Sequence, residues 1–386
     1  MKNKIGVLLP FKDNFTNSKA GSASIWVKDF NKNSSYKKNI YVCGNTDNTK
    51  DLISKKRYLN INFSQSTFKS KNISYLDEFI KIINKYKFNL IEVHNRPSYI
   101  IHLIKNGIKS KFVLIFHNNP LTLRGSQSIS ERKELVDKCE RLVFVSNWVK
   151  EKFFEGLEKR HINKCIVIYP SIEPIKKLPK KKNIIAFVGK LNRSKGFHIF
   201  GAAIIKILNK YKSWTSVVIG DEPREKYNFN HKSLIYKGWI THKKTMELYN
   251  STSISVVPSF WEEPFGRTAM EAASRGCATI ISKKGGLVET ISNGQYLKIL
   301  NTKNLYDKIE NLIRNNKLRK NIQIQSFKNV IHKLKENTKK IDLYRNQILN
   351  KVVFSKISNK KLKIIHVSNF GNRLFNRLYF ISIAKK

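Results

Sequence analysis

The stretch PSFWEEPFGRTAMEAASRG, residues 258–276, sets two carboxylates, Glu263 and Glu271, eight positions apart in a chain with 27 acidic residues against 74 basic ones. Pro264 disfavours helical backbone at the residue before it, which puts Glu263 on an extended segment. From about Gly266 the residues favour a helix, and Gly276 suits its end, so Glu271 lies one to two turns in. The helix start between the two acids offers unpaired N–H groups and a positive dipole end, a seat for phosphate. Carboxylates accept strong hydrogen bonds from sugar hydroxyls. One acid on each side of an anion seat fits a ligand with a sugar at each end of a diphosphate, the shape of a nucleotide sugar. The competing reading is two surface acids neutralised by nearby lysines.

A second stretch, FVGKLNRSKGF, follows an apolar run, and its Gly189 allows a tight turn. Lys190 and Lys195 come off that turn as two point charges able to neutralise a diphosphate. KKGGLVETI supplies Gly285 and Gly286, where a ligand can approach the backbone closely, with Glu289 beyond. YKGWI carries Tyr236, Gly238 and Trp239, a ring for stacking or for ordinary core packing. EVHNRP and FHNNP set His94 and His117 at the ends of apolar runs, where a histidine either meets a ligand or is satisfied by backbone.

These residues need elements to hold them. KIGVLLP, NIYVCGN, NLIEVHN, FVLIFHN and RLVFVSN read as buried parallel strands. Between them lie amphipathic helices such as DEFIKIINKYKF, with Phe79, Ile82, Ile83 and Tyr86 on one face. A second series follows: CIVIYP, IIAFVGK, SVVIGD, SLIYKGW, SISVVPS and ATIISKK. Two βα series predict two doubly wound sheets with functional groups at their strand ends. YPSIEPIKKLPKKK, with three prolines and a lysine cluster, reads as the linker. The predicted division is 1–170, 171–350 with terminal helices, and an extra segment 351–386. Within that segment KLKIIHVSNFGNRLFNRLYFISIAKK reads either as the start of a further, incomplete domain or as a basic, aromatic interfacial helix.

Composition bounds the rest. The net charge of +47 admits nucleic acid, an anionic membrane surface or phosphorylated small molecules as partners, and a genome-wide bias toward Lys, Asn and Ile explains it equally well. Cys43, Cys139, Cys165 and Cys277 form no CxxC pair, which suits a reducing cytoplasm. No apolar run reaches the roughly 20 residues that span a bilayer, and the N-terminal apolar stretch is too short for a signal peptide. No Asp-x-Asp pair occurs, so no metal grip on a diphosphate is expected.

The chain resembles the retaining glycosyltransferases of family 4, of the bacterial surface-polysaccharide or lipopolysaccharide type. The resemblance rests on the Glu-x7-Glu motif in PSFWEEPFGRTAMEA and on FVGKLNRSKGF, and it runs over residues 4–345, densest at 185–291. It implies the α/β GT-B fold, two doubly wound Rossmann-like domains facing each other across a cleft, the first on the acceptor side and the second holding the donor. It implies transfer of a hexose-type sugar, with retention and without metal or cofactor, from a nucleotide sugar (a UDP-sugar is favoured) to a glycan or lipid-linked acceptor. His117 and Glu263 would be the catalytic pair, with His117 keeping donor sugar and acceptor in register. Lys190, Lys195, Gly21, Gly266, Arg267 and Thr268 would hold the donor phosphates. Glu263, Phe265, Glu271, Gly285 and Gly286 would meet the donor sugar and ribose, and Tyr236 and Trp239 the base. The chain departs from the family at Lys190, where arginine is usual, and at Ala20-Gly21-Ser22, where relatives carry a double glycine. The expected setting is cytoplasmic, peripheral to the inner membrane through anionic lipid, with nucleic acid not expected as a partner. The alternative is a non-catalytic basic protein of the same fold that binds nucleic acid or an anionic membrane.

Overall fold

The computed structural model describes residues 3–64, 69–158 and 162–350. Each of the eleven runs set out above in the two strand series is a strand, because a segment buried on both faces of a parallel sheet needs apolar side chains on both. The first sheet contains β1 (Ile5–Leu8), β2 (Ile40–Gly44), β3 (Tyr58–Asn60), β4 (Leu90–His94), β5 (Lys111–Phe116), β6 (Arg141–Phe144) and β7 (Cys165–Val167). Its seven strands run in the order β3-β2-β1-β4-β5-β6-β7, all parallel. The second sheet contains β8 (Lys182–Val188), β9 (Thr215–Ile219), β10 (Leu234–Tyr236), β11 (Thr252–Val257), β12 (Ala278–Ser282) and β13 (Gln295–Leu297). Its six parallel strands follow the same pattern, β10-β9-β8-β11-β12-β13. In each sheet the winding reverses between the first strand and the fourth, and the loops leaving those two strands open a crevice at the carboxyl edge.

Two assignments differ from the sequence reading. CIVIYP, which opens the second series along the chain, pairs as β7 with β6 and closes the first sheet. The last helix, Leu334–Leu349, follows the second sheet in sequence but packs into the first. Its Leu334, Ile341, Tyr344 and Ile348 join Ile5, Val7 and Trp26 in one buried cluster. The helix is anchored by Arg345, which forks onto Glu92 of β4 with Nε–Oε1 and Nη2–Oε2 distances of 2.7 Å, both side chains fully enclosed. Tyr344 donates its hydroxyl to the same carboxylate. A buried bidentate pair with extra donors is the arrangement that offsets the cost of desolvating both charges.

Among the described residues no helix is long and apolar enough to cross a membrane. The segment 351–386, read as a further domain or an interfacial helix, lies outside the described residues.

Candidate active site

The crevice is built by two loops of the second sheet facing one strand end of the first. After β8 the chain turns at Gly189 and Asn192 caps the next turn, its side-chain oxygen accepting from Lys195 N–H at 3.0 Å. Gly196 then takes a left-handed φ of 75°, and any Cβ there would sit 2.0 Å from the Pro258 carbonyl oxygen. Only glycine lets the loop press so closely against the segment after β11. The two loops are also stitched directly, since the Ser194 carbonyl accepts from the N–H groups of Phe260 and Trp261, both at 2.9 Å. This brings Lys195 Nζ within 2.6 Å of Glu263 Oε1.

The segment after β11 behaves as Pro264 predicts: Glu263 stays outside the helix, which begins at Arg267 and runs to Ser274. Gly266 precedes it with φ 100° and no capping side chain, so the first N–H groups of the helix lack an internal partner. Gly285 and Gly286 support this segment from beneath. Gly286 N–H donates to the Glu263 carbonyl at 2.7 Å, and a Cβ on either glycine would meet the carbonyl oxygen of Glu263 or Pro264 at 2.4 Å.

Glu271 lies deeper. Its Oε1 accepts from Arg267 Nε at 2.6 Å and lies 2.8 Å from His242 Nε2. Arg267 reaches on to Asp29 of the first half through Nη2, at 2.8 Å. Burial pushes the Glu271 carboxyl up, but Arg267 and His242 more than offset it and hold it below the ordinary range. The carboxylate is therefore a charged member of a closed network, not a wall of the cavity.

The opposite wall comes from the first sheet. Asn95, just beyond β4, adopts φ 56°, a conformation its short polar side chain tolerates. Its Oδ1 accepts from the N–H groups of His117 and Asn118, at 3.1 and 3.0 Å. This holds His117 at the end of β5, where its Nε2 lies 2.9 Å from His94 Nδ1. Burial lowers both rings, His94 to about 3 and His117 well below its usual value, with His94 and Arg267 adding to the effect on His117. Both imidazoles are neutral.

Between these walls lies a cavity of about 670 Å³. Among the sequence-predicted site residues, His117, Lys190, Lys195, Glu263, Phe265, Gly266, Arg267 and Thr268 line it. Glu271, Gly285 and Gly286 stand behind the wall as described. Gly21 precedes the helix Ser22–Asn33 without lining the cavity, although Ser22 does, and a Cβ on Gly21 would meet Asp13 Oδ1 at 2.6 Å. Tyr236 and Trp239 are exposed, so core packing is excluded for Trp239. Its Nε1–H donates to the Ser18 carbonyl at 2.9 Å. Among the described residues no three His, Cys, Asp or Glu side chains gather as a metal site would.

Sequence reasoning missed Asp29, His242, Asn95, Asn118 and Arg224, whose contacts arise only on folding. Arg224 lines the cavity and forks onto Glu222 at 2.6 and 2.8 Å. It missed Asp13 too, which burial raises to about 6 against the pull of Ser24, Arg96 and Gly21. Only a lone polar residue in a glycine-bearing loop marked that position.

Comparison with known proteins bears on the family likeness and the fold. Residues 169–329 match the family described as glycosyl transferases group 1. The spore coat protein SA of Bacillus subtilis is 24% identical over 278 residues, 62% of this chain and 73% of that protein. The uncharacterized glycosyltransferase MJ1607 of Methanocaldococcus jannaschii is 26% identical over 251 residues, 56% of this chain but only 63% of its own length. Among solved structures, Anabaena Alr3699/HepE in complex with UDP-glucose superposes with a TM-score of 0.70 at 15% identity, over 89% of this chain and 99% of that one. At that identity the likeness speaks for the fold. Residues 169–329 are similar to the group 1 glycosyl transferases, and the described chain as a whole has the GT-B fold.

Proposed function

We propose that the protein transfers a hexose-type sugar from a nucleotide-sugar donor to a glycan or lipid-linked acceptor, with retention of configuration and without a metal. The observation that carries this reading is the Lys195–Glu263 pair at 2.6 Å in the cavity wall, beside Lys190 and an uncapped helix start. A diphosphate leaving group gathers negative charge as the sugar departs, and lysines fixed beforehand with helix N–H groups stabilise it without reorganisation. Glu263 is the acceptor for sugar hydroxyls, its carboxylate held in place by Lys195. His117 contributes from the other wall, keeping sugar and acceptor in register.

A UDP-sugar is the favoured donor, in keeping with the neighbouring fold whose complex contains UDP-glucose. The first domain, 1–170 with the helix Leu334–Leu349 packed into it, takes the acceptor side, and the rest of 171–350 the donor side. Membership of family 4 and a role in surface polysaccharide or lipopolysaccharide assembly follow from the Glu-x7-Glu resemblance. A net charge of +47 supports peripheral contact with anionic lipid on the cytoplasmic face.

Calorimetric titration of the protein and of Lys195→Ala with UDP-, GDP- and ADP-sugars tests the reading. One nucleotide class is expected to bind, and to bind more weakly to the variant. Failure of all three to bind would overturn it.

A further inference from the structure

The pairing of His94 with His117 leaves one question of chemistry open: which nitrogen carries the proton. His117 has two ring nitrogens, and Nε2 is engaged 2.9 Å from His94 Nδ1. Nothing among the described residues bonds its Nδ1, which is not one of the enclosed atoms left without a partner. Since His117 lines the cavity, Nδ1 is the ring nitrogen open to it.

His94 is fully enclosed, and its Nε2 has no hydrogen-bond partner. Trp26 packs edge-on against both imidazoles, with ring centroids 5.3 Å from His94 and 5.9 Å from His117. The Trp26 indole N–H is also enclosed and without an acceptor. If the proton between the rings belonged to His117, His94 would carry its own proton on Nε2. That would enclose a second N–H with no acceptor beside the first. Orphaned buried N–H groups are rarer than under-satisfied acceptors. The reverse arrangement leaves His94 Nε2 as a bare lone pair and adds no orphaned donor.

We infer that His94 is a positioning residue whose Nδ1–H donates to His117 Nε2, fixing His117 as the tautomer protonated on Nδ1. The ring then turns an N–H toward the cavity, so His117 is a hydrogen-bond donor to an oxygen of the bound ligand and not a base. The lowered proton affinity of both rings agrees with this, because neither becomes an imidazolium near neutral pH and only the tautomer is left to choose. The consequence for sugar transfer rests on the function proposed above: His117 orients a hydroxyl oxygen, and the acceptor proton leaves by another route.

The tautomer is read directly from long-range proton–nitrogen correlations of the full chain labelled with 15N-histidine, with the His117 signals assigned from His117→Asn. The expected result is an Nδ1–H tautomer that does not titrate between about pH 6 and 8. In His94→Phe the same signals should show both tautomers in exchange. Transfer by that variant should lose about 10- to 100-fold in kcat with KM for the donor little changed, as when a reacting group is slightly misplaced. An Nε2–H tautomer in the unmodified protein overturns the inference, and so does a tautomer that His94→Phe leaves unaltered. Should His94→Phe fail to fold, the spectrum of the unmodified protein decides alone. The spectrum needs no ligand, so absence of nucleotide-sugar binding would overturn the proposed activity and leave the tautomer standing. Donor binding together with an Nε2–H His117 would do the opposite.

Discussion

On the wall supplied by the second sheet charge meets charge: Lys195 on Glu263, and beside them Arg267, which reaches back to Glu271 and across to Asp29 of the first half. On the wall supplied by the first sheet His94 and His117 meet as two neutral rings under Trp26. Both walls are enclosed, and enclosure penalises an isolated charge heavily. The second wall keeps its buried charges by pairing them with opposite partners, while the first gives them up. Under the proposed function the difference divides the labour. The diphosphate is drawn to the charged side, and the neutral side is left for sugar and acceptor hydroxyls.

The charged wall is broken most severely at Arg267. Arg267→Ala leaves Glu271 and Asp29 facing each other across the gap without their shared cation. Removing one partner of a buried pair costs about 3–5 kcal/mol, and equilibrium urea denaturation should show a loss of that order. Arg267→Lys should recover part of it, since the charge returns without the fork. A loss under about 1 kcal/mol would mean that the network is not what holds the helix Arg267–Ser274 to the first half.

The neutral wall is tested with acid. In the folded protein His94 titrates at about 3, against 6.5 for an ordinary histidine. Between those values the unfolded chain binds a proton that the folded chain refuses. The stability contributed is therefore complete above about pH 6.5 and drains away as pH falls toward 3. One group shifted that far accounts for about 4 kcal/mol, and His117 moves in the same direction. Denaturation curves across that window should steepen accordingly in the unmodified protein and flatten in His94→Phe. An equal acid loss in both would place the cause elsewhere.

Lys195→Ala sharpens the contrast on the ligand side. It removes one charge-assisted contact to phosphate, so donor binding should weaken by about 1.5–3 kcal/mol. His117→Asn, on the neutral wall, should affect turnover more than donor affinity. Calorimetry on the two variants compares the walls directly, and equal losses of affinity would erase the distinction drawn between them.

What the sequence made legible follows the same division. Strands buried on both faces wrote themselves as Ile and Val runs, whereas β3 and β13, three residues each at the sheet edges, carry too little apolar pattern to be seen. A glycine with positive φ at a helix end, Gly276, was readable because side chains other than glycine's are strained there. Lys195 and Glu263 were readable as charges in motifs, and the structure joins them. Glu271 was equally conspicuous, yet its partner His242 and the Asp29 that shares Arg267 with it come from distant helices with no local signal, so its enclosure could not be seen. The last helix was assigned to the half it follows because nothing local ties Arg345 to Glu92, 253 positions away.

The smallest effect concerns Trp239, at the rim of the charged wall. The resemblance assigns its ring to the nucleotide base, while the structure gives it an N–H bond to Ser18 and leaves the residue 63% exposed. These roles separate in two substitutions, because phenylalanine keeps an aromatic face and loses the N–H. If the residue clasps the loop after β1, Trp239→Phe and Trp239→Ala should each lower unfolding stability by about 0.5–1 kcal/mol, the worth of one exposed hydrogen bond, and leave nucleotide affinity alike. If the ring stacks on a base, Trp239→Phe should bind nucleotide nearly as well as the unmodified protein while Trp239→Ala loses about 1–3 kcal/mol. The geometry favours the first outcome, in which the rim joins the two halves through backbone and the recognition of the base lies with other residues of the cleft.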